Sequence, residues 1–208
     1  MTSNNLATPL MAGRAQEPDR QPAPIHSDAL LQVSRRVDWR FLMPDPTLER
    51  VAYIGPAQGA LLEALRLFSG SVTVFESVSG EDSAASPHDV VVAHHPSREA
   101  LRAAARLVRP GGFLYAEVTG FRHARRDVAV LRHSGCASVQ VHWHWPDFEA
   151  CTRIVPLDDP VVLVGTLLKG RRGPAAWSAA ALLRGLEKSK LLGWGVRHVS
   201  LLAQRETL

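Results

Sequence analysis

Cysteine is scarce in this chain of 208 residues: Cys136 and Cys151 are the only two. That excludes a disulfide framework and a four-thiolate zinc site. Lysine is nearly absent too, at Lys169, Lys188 and Lys190, so the positive charge is carried by arginine. The balance of 24 Lys+Arg against 20 Asp+Glu leaves a formal net charge of +4. The basic residues are scattered, as at Arg35-Arg36, Arg122 to Arg126 and Lys169 to Arg172. A nucleic-acid surface is more often a dense stripe with aromatic residues interleaved, and aromatics make up only 6 % here, so nucleic acid is not expected as the partner. No apolar run reaches the roughly 18–20 residues that span a bilayer. Met1-Thr2-Ser3-Asn4-Asn5 carries no charged start followed by an apolar core, so no secretory signal is visible and a cytoplasmic location is expected. The remaining composition, 46 % hydrophobic and 21 % charged, excludes a wholly disordered chain, a collagen-like repeat and a coiled coil.

Two regions are expected. Residues 1–26 hold Pro9, Pro18, Pro22 and Pro24 with polar filler and no sustained apolar period, the composition of a disordered tail. Residues 27–208 form the folded domain. Ser27-Asp28 can cap a helix with apolar positions Leu30, Leu31, Val33 and Val37 that ends before Trp39. Pro44 and Pro46 then force a turn.

Beyond Leu48, short β-branched runs alternate with helical stretches. Val51–Ile54, Ser71–Phe75, Asp89–Ala93 and Phe113–Val118 read as strands. Residues 60–68 and 97–108 read as helices, with Ser97 and Glu99 placed as cap and first-turn acid. This alternation predicts an α/β fold, a mostly parallel sheet with helices on both faces. Ligands of such sheets lie beyond the carboxyl ends of the strands, where strand order reverses. The residues to watch are therefore Gly55 to Gly59, Glu76, His94 to Ser97 and the stretch after Glu117. Gly55-Pro56-Ala57-Gln58-Gly59 is a strand-to-helix turn with glycine at each end, which admits close backbone approach. Glu76, at the end of the second strand, can accept hydrogen bonds from both hydroxyls of a ribose. The nicotinamide fingerprint Gly-x-Gly-x-x-Gly is missing, since Ala57 and Ala60 stand at its later glycines. No Gly-Lys-Ser/Thr follows the first strand, so a P-loop is excluded.

Val51-Ala52-Tyr53-Ile54-Gly55-Pro56-Ala57-Gln58-Gly59, Glu76 and Leu107-Val108-Arg109-Pro110-Gly111-Gly112-Phe113-Leu114 together resemble the class I S-adenosylmethionine-dependent methyltransferases. The likeness spans about residues 48–120, with Val196 to Ala203 suiting the family's antiparallel C-terminal strand. It implies a Rossmann-like sheet and S-adenosylmethionine as cofactor, with Gly55, Ala57, Gly59, Glu76 and His94 around it. It also implies methyl transfer to a small-molecule or carrier- or peptide-linked acceptor, in specialised metabolism. Tyr53 replaces the family's usual acid and Ala57 its middle glycine. These departures keep a second reading open, a noncatalytic methyltransferase-fold protein that binds or scaffolds. The Asn-Pro-Pro-Tyr motif of amino-directed nucleic-acid methyltransferases is replaced by His94-His95-Pro96-Ser97.

By this resemblance His94 and His95 stand where the fourth strand opens onto the methyl donor, and a neutral imidazole there can take a proton from an O–H or N–H nucleophile. They are the candidate catalytic residues, with His95 preferred. Strand alternation predicts that the two point in different directions. The pairs His94-His95 and His142-x-His144 lack a matching carboxylate or cysteine pair, and no metal is expected. After residue 120 a helix continues over 128–133, and 138–145 alternates as a strand. Its valine face carries Trp143 and Trp145, with His142 and His144 expected as solvated imidazoles opposite. Trp143, Trp145 and Phe148 are the candidate walls of an acceptor pocket. A last helix is expected over 174–192.

Overall fold

The computed structural model describes residues 27–78, 87–159, 162–163 and 196–207. The expected tail at 1–26, the helix over 174–192 and the basic loop 170–174 lie outside the described residues.

Seven strands form one sheet: β1 (Leu48–Ile54), β2 (Ser69–Phe75), β3 (His88–His94), β4 (Val108–Thr119), β5 (Cys136–Trp145), β6 (Arg153–Pro156) and β7 (His198–Arg205). Their order is β2-β1-β3-β4-β7-β5-β6. β2, β1, β3 and β4 pair in parallel. β7 inserts antiparallel between β4 and β5, and β6 folds back antiparallel on β5. Parallel strands with helices after β1, β3 and β4, and one late strand reversed into the sheet, define the Rossmann-like class I methyltransferase fold. The strand order reverses between β1 and β3, so the crevice available to a ligand opens there.

Side-chain alternation divides the core into two layers. Val51, Tyr53, Val90, Val92, Tyr115 and Leu202 face one side, where α2 (Ala60–Phe68) contributes Leu61, Leu62 and Leu65. The same side is closed by α1 (Ser27–Arg35) and a 3-10 turn, Asp38–Leu42. Ala52, Val91, Ala93, Leu114 and Ala116 face the other, covered by α3 (Arg98–Leu107) and α4 (Phe121–His133). Helix α3 starts as the sequence implies, with Ser97 Oγ accepting from the Ala100 amide at 3.1 Å. The helix before Trp39 ends earlier than its pattern suggests, at Arg35. The chain then tightens into the 3-10 turn that buries Trp39, whose ring stacks on Tyr115 with centroids 4.1 Å apart.

Two expectations from alternation are corrected. His142 and His144 are not solvated: they are 4 % and 3 % exposed. β5 is an inner strand with β7 on one side and β6 on the other, and the segment 153–156 that covers it was not expected as a strand. Trp145 on the valine face is instead half exposed. Pro110-Gly111-Gly112 is a bulge inside β4, where the register passes from His88↔Val108 to Val90↔Phe113. Gly112 is required there, because a Cβ would stand 2.7 Å from the Asp89 carbonyl. No helix of the described residues is long and apolar enough to cross a membrane.

Candidate active site

Backbone pairing alone assembles the first part of the site. The Gly55 amide donates to the Phe75 carbonyl at 3.0 Å, which sets the glycine turn beside Glu76 at the carboxyl ends of β1 and β2. Glu76 is exposed, as are Pro56, Ala57, Gln58 and Gly59. Gly59 is the N-cap of α2, with φ +139° and no side-chain cap. A Cβ built at Gly59 meets nothing within 4 Å, so its backbone borders open space. Gly55 is the opposite case: a Cβ there would stand 2.7 Å from the Tyr53 hydroxyl and 3.0 Å from the His94 Cβ. Tyr53 is thus buried with its ring tip against the turn. Burial, then the nearby Glu117 charge, raise its pKa above the usual phenol value.

The second part is polar and mostly buried. Glu117 on β4 has no exposed surface. Arg36, just past α1, donates from Nη1 to Glu117 Oε1 at 2.9 Å and from Nη2 to Oε2 at 3.1 Å. It also donates to the Phe148 carbonyl at 2.9 Å. His94 Nδ1 lies 2.9 Å from Glu117 Oε2, and the Tyr115 hydroxyl donates to Oε1 at 3.3 Å. Burial by itself would raise the Glu117 pKa. The hydrogen bond from His94 and the Arg36 charge outweigh it and bring the carboxyl below its ordinary range. Burial, followed by the Glu117 charge, pushes Tyr115 well above the usual phenol value. Beyond Tyr115 the chain of polar contacts continues through His144 Nε2, which lies 2.8 Å from Ser200 Oγ. His144 Nδ1 faces the buried thiol of Cys151 at 3.5 Å.

His95 departs from the strand rule. Its φ of +47° is left-handed, an uncommon conformation for a non-glycine residue. The expectation that His94 and His95 diverge is therefore corrected: their rings meet with centroids 4.5 Å apart. Partial desolvation, then the His94 ring beside it, pull the His95 pKa below the ordinary imidazole value, which favours a neutral ring near pH 7.

Phe148 sits among these groups, 7 % exposed. Its ring centroid is 4.8 Å from that of His144, 5.5 Å from His198 and 6.1 Å from His95, and 5.8 Å from the Arg36 guanidinium carbon. Trp143 and Trp145 are not brought to it. They pair with each other edge-to-face, centroids 5.2 Å apart, and Trp143 packs against the layer under α3 and α4. The three candidate pocket walls thus divide, with only Phe148 beside the histidines.

The carboxylate missing from the histidine spacing comes from β4: ligand atoms of His94, His95 and Glu117 lie within 4.8 Å of one another. Arg36, however, stands against both oxygens of Glu117, so a cation placed there would face a guanidinium. Sequence reasoning singled out His94 and His95, and placed His144 among solvated imidazoles, but did not point to Arg36, Tyr115 or Ser200. One signal was present, a glutamate within the apolar run Phe113 to Val118, where a charge must find a partner.

The fold and the polar cluster at its strand ends define a Rossmann-like sheet with charged and imidazole groups gathered at the carboxyl ends of its parallel strands. No protein-family model matches the chain, and no curated protein sequence does. Solved structures with a similar chain path include phosphoethanolamine N-methyltransferase 2 of Haemonchus contortus, in complex with phosphomonomethylethanolamine and S-adenosylhomocysteine. It is 11 % identical at a TM-score of 0.40, covering 88 % of this chain and 53 % of the other. This chain thus spans about half the length of that enzyme. A second is an S-adenosylmethionine-dependent methyltransferase from Archaeoglobus fulgidus, 14 % identical at TM-score 0.47, covering 84 % and 94 % of the two chains. A third is described as a sarcosine dimethylglycine methyltransferase from Galdieria sulphuraria, 11 % identical at TM-score 0.43, covering 86 % and 87 %. The fold is defined here by strand order and direction, and no substrate follows from these likenesses.

Proposed function

We propose that this protein is a cytoplasmic S-adenosylmethionine-dependent methyltransferase acting on a small-molecule or carrier- or peptide-linked acceptor, in specialised metabolism. The observation that carries the reading is the meeting of Gly55, Glu76 and His94 at one end of the sheet, beside the reversal in strand order. The residues fit the nucleoside half of the donor. Gly59 borders open space, the first amides of α2 have no side-chain cap, and exposed Glu76 is free to bond a ribose. Gly55, Ala57 and Gly59 would line the donor and Glu76 would hold its sugar. His94 or His95 would take the acceptor's proton, and Phe148 would back the acceptor; Trp143 and Trp145 remain candidates only for a more distant part of it. The bound donor supplies an electrophilic methyl group. The protein supplies orientation, exclusion of water and deprotonation.

A second reading, a noncatalytic methyltransferase-fold binding or scaffold protein, is favoured by Tyr53, whose hydroxyl presses against the turn where the family carries an acid. Titration calorimetry of the full chain with S-adenosylmethionine and S-adenosylhomocysteine separates the two. The methyltransferase reading expects saturable heat that Glu76→Ala weakens by about 1–3 kcal/mol, the scale of hydrogen bonds to a charged group. No heat and no thermal shift at millimolar ligand would leave the scaffold reading standing.

A further inference from the structure

A carboxylate inside a sheet costs several kcal/mol unless it is paired and hydrogen-bonded. Glu117 meets both conditions with Arg36 alone, since the guanidinium balances its charge and bonds both oxygens. The contact with His94 is therefore not needed for neutrality, and what it does is fix the imidazole. An ionised carboxylate only accepts hydrogen bonds, so at 2.9 Å the proton between them belongs to His94 Nδ1. The neutral ring then carries its lone pair on Nε2. The His94 side chain is 29 % exposed, so the buried carboxylate holds a ring that reaches the surface beside Gly55. His95 has no such partner: its Nδ1 lies 3.4 Å from Thr119 Oγ1, a hydroxyl that can donate or accept and so selects no tautomer.

We propose that Arg36 and Glu117 are a pair of positioning residues that lock His94 in the Nδ1–H tautomer, making His94 Nε2 the proton acceptor and the methyl acceptor a protic O–H or N–H nucleophile. This rests on the methyltransferase reading and reverses the preference for His95. The O–H or N–H bond breaks with its proton passing to His94 Nε2. The freed electron pair forms the new bond to the methyl carbon, and the methyl–sulfur bond breaks with its electrons staying on sulfur. The imidazolium left behind stands 2.9 Å from Glu117, which stabilises its charge. The alternative use of the same atoms, a cation held by His94, His95 and Glu117, would place a second positive charge on the carboxylate that Arg36 already neutralises.

The tautomer is read directly from long-range proton–nitrogen correlation spectra of the full chain labelled with ¹⁵N-histidine. In the wild type, His94 is expected with Nδ1 protonated and Nε2 as the bare nitrogen. In Glu117→Gln the amide oxygen stays with Arg36 and the amide N–H₂ turns to His94, so the pattern reverses to Nε2–H; exposed His123 and His133 do not change. Arg36→Lys is the second variant, in case the first fails to fold. It cannot hold both oxygens, so the Glu117 carboxylate is free to turn off His94 Nδ1, and the His94 spectrum becomes a mixture of tautomers. Nε2–H in the wild type, or an unchanged pattern in whichever variant folds, overturns the proposal. One equivalent of zinc retained after dialysis, shifting His94 and His95 together and lost in His95→Ala, overturns it as well. Titration of Glu76→Ala and the wild type with S-adenosylhomocysteine tests the methyltransferase reading separately, because Glu76 holds the sugar of the donor and has no contact with the His94–His95 ring pair.

Discussion

Arg36 and Glu117, 81 residues apart in the chain, meet through two hydrogen bonds in a place where neither is solvated, at 6 % and 0 % exposure. Removing one partner strands the other. Arg36→Met is expected to cost about 3–5 kcal/mol, the usual price of an uncompensated buried charge. Arg36→Met combined with Glu117→Leu should recover part of that loss, because no buried charge is left unpaired, while the Phe148 carbonyl, His94 Nδ1 and the Tyr115 hydroxyl each lose a partner. Urea unfolding of the single and double variants checks this. A double variant no more stable than Arg36→Met would show that the pair is not the source of the cost.

Much of the fold was legible because its signals are local. Asp89–Ala93 and Phe113–Val118 are apolar, β-branched and aromatic runs bounded by turns, and they appear as the cores of β3 and β4. Ser97 capped its helix as its side chain and position imply. The polar half of the site was not legible, because it is built across the sheet. Arg36 precedes the first strand, Glu117 lies on β4 and Ser200 on β7. Nothing in the spacing of His142 and His144 tells whether a fourth or fifth neighbour covers that face. Period two gives two faces but not which of them is wet; at His144 the face is covered by Tyr115, Phe148 and Cys151, which come from other parts of the chain. His95 was misplaced for another reason: a left-handed residue at a strand end breaks alternation without any glycine to announce it.

Gly55 and Gly59 should respond differently to the same added methyl. At Gly55 the methyl competes with the Tyr53 ring tip, so Gly55→Ala and Tyr53→Leu should couple by about 0.5–3 kcal/mol, each partly relieving the other. At Gly59 the methyl meets open space and the cost is backbone strain, so Gly59→Ala and Tyr53→Leu should add. Double-mutant cycles by thermal or urea unfolding decide it. Equal coupling at the two glycines would contradict the packing described for Tyr53.

Gly59→Val extends the test to binding. The protein itself offers no clash there, contrary to what a tight turn suggests, so the variant should remain folded while S-adenosylhomocysteine affinity falls steeply. Unchanged affinity, measured by calorimetry, would remove the turn from the donor site.

Acid stability should be lost in two windows. Burial holds His142 and His144 neutral, with pKa values lowered to about 4 against 6.5 for a free imidazole. Above pH 6.5 neither penalises the fold. As pH falls from 6.5 to 4 the unfolded chain binds protons that the folded one refuses, a loss on the order of 3 kcal/mol for each ring, and below about 4 this loss stops growing. Asp89, hydrogen-bonded by Arg50 and also by Arg109, is held at about 2 against 3.8. Its contribution is present above 3.8 and disappears as pH falls from there toward 2. His142 Nδ1 is buried without a partner, so His142→Leu should raise stability at pH 5 and remove about half of the loss in the upper window, His144 keeping the rest, while leaving the lower one intact. Urea midpoints between pH 7 and 3 would show it; an unaltered slope would mean that His142 is hydrated in solution.

Short β6 has a bearing on self-association. At four residues, opening with Arg153 and closing with Pro156, it ends the described sheet beside the ten-residue β5. A strand from a second copy approaching that edge would find little backbone to extend, a charge at one end and a residue without an N–H at the other. The half of β5 that carries His142, Trp143, His144 and Trp145 is thereby withheld from templating an intermolecular sheet.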